Sequence, residues 1–244
     1  MITVAWTGIA SILLPGGRTA HSVFKFPIPL TESSVSFVKP NTKAGQALKA
    51  AKAIIWDEAS MVPGRALLCL DRLLRDIHQN ETPFGGKIII LGGDFRQVLP
   101  VVPRSTRTGI VDNCLKRCSL WKFFKSFKLT INMRSQEPDY CNFLLRIGHG
   151  EGQDNASRIK IPDQILLKNG NLIDWVFQPN NGIIEIDNLK DRAILCPKND
   201  QCAIINSSIV DMLPGQERTY LSADTIVSQD SQACFTRFTS ISLN

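Results

Sequence analysis

Short apolar runs alternate along the chain with stretches of helical period. Ile2-Thr3-Val4-Ala5-Trp6 reads as a buried strand, and Thr7 follows it as a cap for a short helix through Ile9-Ala10-Ser11-Ile12-Leu13-Leu14. Pro15-Gly16-Gly17 breaks that helix. Beyond a loop rich in Pro and Ser over residues 27–42, a helical stretch runs from about Lys43 to Ala51. Ala53-Ile54-Ile55-Trp56 is a second apolar run that ends on two acids, as a central parallel strand feeding a loop would. Leu67, Leu70, Leu74 and Ile77 recur at spacings of three and four, one face of an amphipathic helix. Lys87-Ile88-Ile89-Ile90-Leu91 predicts another buried strand, closed by Gly92-Gly93. Phe127, Leu129 and Ile131 alternate as a further strand should. Pro138 then opens a helix with Tyr140, Phe143, Leu144 and Ile147 on one side, and Gly148 closes it.

Residues 149–190 are polar, rich in Gly and Asn, and carry no clear period. A new unit begins with Arg192-Ala193-Ile194-Leu195-Cys196, read as a strand. Its helix is capped by Asn199, shows Cys202, Ile205, Ile209 and Met212 on one face, and is ended by Pro214-Gly215. Strands alternating with helices predict an α/β fold with a mostly parallel sheet. The expected division is a first domain over 1–190 and the start of a second over 191–244.

The length of 244 residues suits one large domain or one domain with part of another. With 43% hydrophobic and 20% charged residues, the composition excludes disordered and collagen-like chains. A net charge of +6 and a pI near 9.0 permit a nucleic-acid partner without demanding one. The seven cysteines are odd in number, irregularly spaced and without a C-x-x-C pair, which points to reduced thiols inside a cell. No apolar run is long enough for a membrane span, and the first residues lack the charged region of a secretion signal. A soluble, intracellular protein is expected.

Three clusters carry candidate chemistry, each directly after a predicted strand. Asp57-Glu58 could divide labour, with Asp57 on Mg²⁺ and Glu58 orienting and deprotonating an attacking water. An acid pair there can also be no more than a helix start favoured by the dipole. In Gly92-Gly93-Asp94-Phe95-Arg96-Gln97, the glycines let backbone approach a ligand closely. Gln97 suits sensing of a γ-phosphate or its water, and Asp94 could hold the loop or the metal's waters; a plain tight turn is the competing reading. Arg134, ending Leu129-Thr130-Ile131-Asn132-Met133-Arg134, could place a planar charged fork on a phosphate or simply face solvent. In a parallel sheet all three lie along one edge and can converge on one triphosphate.

Their order resembles the petite-integration-frequency (PIF-type) helicases, superfamily-one ATP-dependent DNA helicases that include the helicase parts of Helitron transposons. Thr7-Gly8-Ile9-Ala10 and residues 13–22, Leu13-Leu14-Pro15-Gly16-Gly17-Arg18-Thr19-Ala20-His21-Ser22, resemble that family's first DNA-contact motifs. Residues 54–61 (IIWDEASM) resemble its Walker B segment, and residues 92–102 (GGDFRQVLPVV) its third motif. Residues 129–135 resemble the motif with a phosphate-contacting arginine. Residues 192–197, 206–214 and Tyr220-Leu221-Ser222-Ala223-Asp224 resemble the entry to the second motor domain. The resemblance implies a RecA-like P-loop NTPase fold, ATP and Mg²⁺ as cofactors, and single-stranded and duplex DNA as partners. It implies Asp57 for Mg²⁺, Glu58 as base, Gln97 as γ-phosphate sensor and Arg134 as stabiliser of transition-state charge, with Gly93 and Asp94 beside the nucleotide. It places DNA contacts near Thr7, His21 and Phe24, where Phe24 offers a stacking face and His21 lies beside Arg18 and Lys25. Unwinding from 5′ to 3′, a nuclear setting, and roles in DNA repair, recombination and telomere maintenance are implied in the same way.

Two parts of the pattern are missing, the phosphate loop and the later motifs of the second motor domain. No G-x-x-x-x-G-K-S/T occurs in the 244 residues; the nearest glycine cluster, Leu14-Pro15-Gly16-Gly17-Arg18, has the wrong spacing. In the family the phosphate loop precedes the segment that opens this chain, and after about Ser228 the match fades, Cys234-Phe235-Thr236-Arg237-Phe238 included. The expectation is a partial motor lacking the first strand and P-loop, catalytically incomplete. Composition predicts a soluble class of protein, but the apolar surface and strand edge left open would make this piece poorly soluble or marginally stable. The alternative is a transposon-derived remnant that binds DNA or a partner without hydrolysis. A metal-dependent nuclease or phosphatase using Asp57, Glu58 and Asp94 leaves Gln97 and Arg134 without a duty.

Overall fold

The computed structural model describes residues 1–135, 137–215, 218–221 and 240–243. The chain divides into two compact units, 1–159 and 160–244.

The first unit is built on a parallel sheet. Strand β1 (Ile2–Ala5) leads to α1 (Gly8–Ile12), and β2 (Arg18–Thr19) leads to α2 (Ala20–Phe24). Helix α3 (Lys43–Ala50) precedes β3 (Ala53–Asp57). Helix α4 (Gly64–His78) precedes β4 (Ile88–Leu91), and α5 (Arg107–Asp112) and α6 (Pro138–Gly148) follow. The sheet order is β2-β1-β3-β4, every pair parallel, with Ala5 opposite Asp57 and Trp56 opposite Leu91. All four strands therefore deliver their following loops to one edge.

Helix α4 forms where the spacing predicted it and buries Leu67, Leu70, Leu74 and Ile77. These pack with Ile54, Trp56, Leu48 and Phe24 into one core; each such side chain contributes about 1.5–3 kcal/mol on burial. Asp71, buried on the same helix, accepts from the Phe84 amide at 2.6 Å and pairs with Arg75 at 2.9 Å. That satisfies a carboxylate that would otherwise be costly to bury. On the far side, β4 is the edge strand of the sheet among the described residues, with Ile88 and Ile90 largely exposed.

Two predicted strands do not form. Residues 125–130 are without regular structure, and Phe127, Leu129 and Ile131 stand exposed, because no described strand lies beside them to complete a ladder. Residues 192–196 likewise join no sheet. Between Gly17 and Phe26 the chain forms β2 and α2.

The second unit contains α7 (Leu172–Phe177), in the stretch that showed no period, and α8 (Asn199–Val210). Lys198, not Asn199, occupies the cap position of α8, and Asn199 is its first helical residue. Ile173, Phe177 and Ile184 are buried here, Arg192 donates to the Val176 carbonyl at 2.9 Å, and the Ile184 amide donates to Met212 at 2.8 Å. Strands β5 (Arg218–Leu221) and β6 (Ser240–Leu243) pair antiparallel. The family-like Ser222–Asp224 and the unplaced Cys234–Phe238 lie outside the described residues.

Candidate functional site

The carboxyl edge of the sheet brings two of the three predicted clusters into contact. Strand β3 ends at Asp57, and the Gly92 amide beside it donates to the Trp56 carbonyl at 2.9 Å. The chain after β3 returns the bond, the Ala59 amide donating to the Gly92 carbonyl at 2.7 Å. This approach requires glycine. A Cβ on Gly92 would stand 3.2 Å from Asp57 Oδ1, and one on Gly93 would stand 2.9 Å from the Ser60 amide nitrogen and 3.0 Å from that of Ala59. Asp57 and Glu58 are half-buried, and the Glu58 amide donates to Asp57 Oδ1 at 2.9 Å. Glu58 itself is left-handed, at φ 52° and ψ 39°, a conformation that costs a β-carbon residue energy and that clusters at functional sites.

Asp94 is committed to Arg96. The guanidinium donates through Nε to Oδ1 at 2.9 Å and through Nη2 to Oδ2 at 2.9 Å, a two-pronged pair. Those bonds hold the Asp94 carboxyl below the usual carboxylate range. Their support of the loop is therefore present above the ordinary carboxylate pKa and is lost as pH falls through the lowered one. Asp94 is thus engaged in holding the loop, the first of the two duties considered for it. Gln97, two residues on from this anchor's midpoint, projects into solvent with its side chain unbonded among the described residues.

Arg134 is exposed and not seated on a strand end as predicted. Its position is set locally: Asn132 Oδ1 accepts from the Arg134 amide at 2.8 Å and from the Ser135 amide at 3.2 Å. Asn132 Nδ2 in turn reaches Cys141 Sγ on α6 at 2.9 Å. The far end of α6 meets the glutamine loop, where His149 Nε2 lies 3.5 Å from Arg96 Nη1 and Gly148 leaves room for the Arg96 side chain. One helix therefore touches both the arginine segment and the glutamine loop. Arg96, Asn132 and His149 escaped the sequence reading; D-x-R was a local signal for the first, but nothing near His149 announces its partner 53 residues away.

The predicted DNA residues separate into two groups. Thr7 ends up as the cap of α1, its Oγ1 accepting from the Ala10 amide at 3.3 Å. Arg18 is exposed and donates to Ser22 Oγ at 2.7 Å. His21 is half-buried, with its ring 4.5 Å from Trp6 and 5.8 Å from Phe26. Burial pushes its imidazole below the ordinary range and favours the neutral ring. Phe24 is a correction. It is fully buried between Phe26 and Trp56 in the core, so no face of its ring is open to a base.

Among the described residues no group of three or more His, Cys, Asp or Glu could cage a metal. Mg²⁺ in nucleotide sites is generally held by one or two carboxylates together with phosphate oxygens and water. Ser60 Oγ, buried three residues after Asp57 and without a partner among the described residues, leaves a polar atom there for such a water.

Comparison with known proteins agrees with this geometry. The PIF1-like helicase family model matches residues 1–158, well over half of the chain. The ATP-dependent DNA helicase Pif1 of Bdellovibrio bacteriovorus is 32% identical over 155 residues, covering 62% of this chain and 34% of that protein. The ATP-dependent DNA helicase PIF1 of Xenopus laevis is 27% identical over 225 residues, covering 91% of this chain and 32% of that one. The chain thus spans about a third of the length of these curated relatives. The crystal structure of Bacteroides Pif1 bound to ssDNA superposes with a TM-score of 0.67 at 26% identity, over 99% of this chain and 53% of that one. A structure of two coordinating Pif1 helicases at forked dsDNA, 24% identical with a TM-score of 0.66, shares the fold. A RecA-like parallel sheet, an acid pair closed against a glycine loop at its carboxyl edge, and a family match across both make this chain a member of the PIF1-like helicase family.

Proposed function

We propose that this chain supplies the metal-holding and γ-phosphate-reading part of an ATP-dependent DNA helicase motor. The observation that carries the reading is the contact between Asp57-Glu58 and Gly92-Gly93, which sets an acid pair and a sensor loop against each other at a sheet edge where ligands bind. In this reading Asp57 holds Mg²⁺, which when bound neutralises phosphate charge. Glu58 accepts the proton of the attacking water, and Gln97 orients that water or the γ-phosphate. Arg134, exposed and permanently charged, neutralises charge developing in the transition state. Thr7, Arg18 and His21, all on the same edge, contact single-stranded DNA. Residues 191–244 form the beginning of the second motor domain, and the whole protein unwinds DNA from 5′ to 3′ in nuclear genome maintenance.

The absence of a G-x-x-x-x-G-K-S/T sequence within these 244 residues favours a further statement. Alone, this polypeptide binds DNA without turning over ATP, as a non-hydrolysing remnant would. The test is a chimera that places the phosphate-loop segment of the Bdellovibrio relative ahead of Met1. DNA-stimulated ATP hydrolysis should be gained by the chimera, remain absent in the 244-residue chain, and fall about 100-fold or more on Glu58→Gln. Hydrolysis by the chimera that survives Glu58→Gln would remove the base from this reading.

A further inference from the structure

The positive charge of this chain is concentrated in one stretch. Residues 104–134 carry eight of the 28 Lys and Arg but only one of the 22 Asp and Glu, leaving 20 cations and 21 acids for everything else. None of the eight forms an ion pair with a described carboxylate. Within the stretch, Lys122-Phe123-Phe124-Lys125-Ser126-Phe127-Lys128 sets a lysine at every third position with aromatic rings between. Phe123 and Phe127 are 57% and 79% exposed, and all three lysines are exposed. Each exposed ring keeps an ammonium close by: Lys122 Nζ lies 5.2 Å from the Phe123 ring centre and Lys125 Nζ 5.3 Å from that of Phe127.

Phe124 fixes where this surface emerges. Its ring packs against Phe84, 5.7 Å away in the turn that enters β4, and against Trp121, whose ring meets Phe95 just past the end of β4. This chain of ring contacts, edge-to-face at Phe95–Trp121 and Phe84–Phe124 and stacked at Trp121–Phe124, runs from just past the carboxyl end of β4 to the turn before its amino end. Lys125, Phe127 and Lys128 leave from the end of the sheet opposite Asp57, Gly93 and Thr7.

We infer that residues 122–128 form a second single-stranded DNA surface, separate from the carboxyl-edge contacts. A ring with its own ammonium matches the base and phosphate of a nucleotide, since the ring takes the base face while the ammonium takes the phosphate. A single strand fits better than a duplex, because only unpaired bases offer a face to Phe123 and Phe127. Lys122, Lys125 and Lys128 are spaced three residues apart along the chain, so they offer separate charges to successive phosphates of a strand.

The experiment measures binding of the 244-residue chain to fluorescein-labelled oligo(dT) by anisotropy across a salt series. Replacing Lys122, Lys125 and Lys128 together by Gln should flatten the slope of log affinity against log salt by about 2, and the same three changed to Arg should restore it. Phe127→Ala should weaken binding about fivefold or more with little change in slope. Ultraviolet cross-linking should attach oligo(dT) to the peptide containing residues 122–128. An unchanged slope in the Gln variant, with binding lost on Arg18→Ala and His21→Ala, overturns the second surface while sparing the edge contacts. If the Gln variant loses binding to phosphatidylserine vesicles but keeps its DNA slope, the surface reads membranes and the inference is again overturned. Absence of any oligo(dT) binding by the unaltered chain sinks both DNA surfaces together.

Discussion

Glu58 carries backbone strain where the proposed chemistry needs it. Its left-handed conformation lets the chain turn from β3 so that the Ala59 amide reaches Gly92, while the Glu58 amide closes on Asp57. Asparagine tolerates this region better than glutamate because its short side chain bonds locally. Glu58→Asn should therefore raise stability by about 1 kcal/mol, a rise in Tm of roughly 2–4 °C read by calorimetry. A lower Tm would mean that the glutamate side chain makes a compensating contact. The motifs named this residue in the sequence, but its strain was not legible there. Phe24 shows the opposite failure. In sequence it is an aromatic beside His21 and Lys25, with the composition of a stacking site. Its ring faces inward because α2 packs on Trp56, which adjacency in sequence does not encode.

Between elements, the decisive feature is the close pass of the loop after β4 across the start of the loop after β3. Gly93→Ala puts a Cβ within 3.0 Å of two backbone nitrogens that cannot move without disturbing β3, whereas an added Cβ on Gly8 at the start of α1 meets nothing within 4 Å. Chemical denaturation should show a loss of about 1–3 kcal/mol for the first substitution and essentially none for the second. Equal losses would show that the two loops do not constrain each other. Strands β1, β3 and β4 were readable because each is a short apolar run; Val4, Ala5, Ile54 and Trp56 are buried in the core, while β4 leaves Ile88 and Ile90 exposed at the sheet edge. Residues 127–131 have equally good alternation and form no strand, because a strand is completed by a neighbour's backbone and not by its own side chains.

On the scale of the whole chain, the two units differ in how much apolar surface they bury. The first holds a core of 20 buried residues around α4, while the described part of the second buries Ile173, Phe177 and Ile184. Amide hydrogen exchange should therefore be slowest in β3 and α4 and faster by orders of magnitude throughout α7 and α8. Equal protection in α4 and α8 would contradict this ranking. The sequence by itself determined the α/β alternation, the acid pair, the glycine loop and the family, because each depends on residue type at short spacing. Tertiary structure alone decided that Asp94 is spent on Arg96, that α6 spans from Asn132 to the glutamine loop, and that Phe24 is core. Those outcomes depend on which surfaces meet across tens of residues, and spacing along the chain carries no record of that.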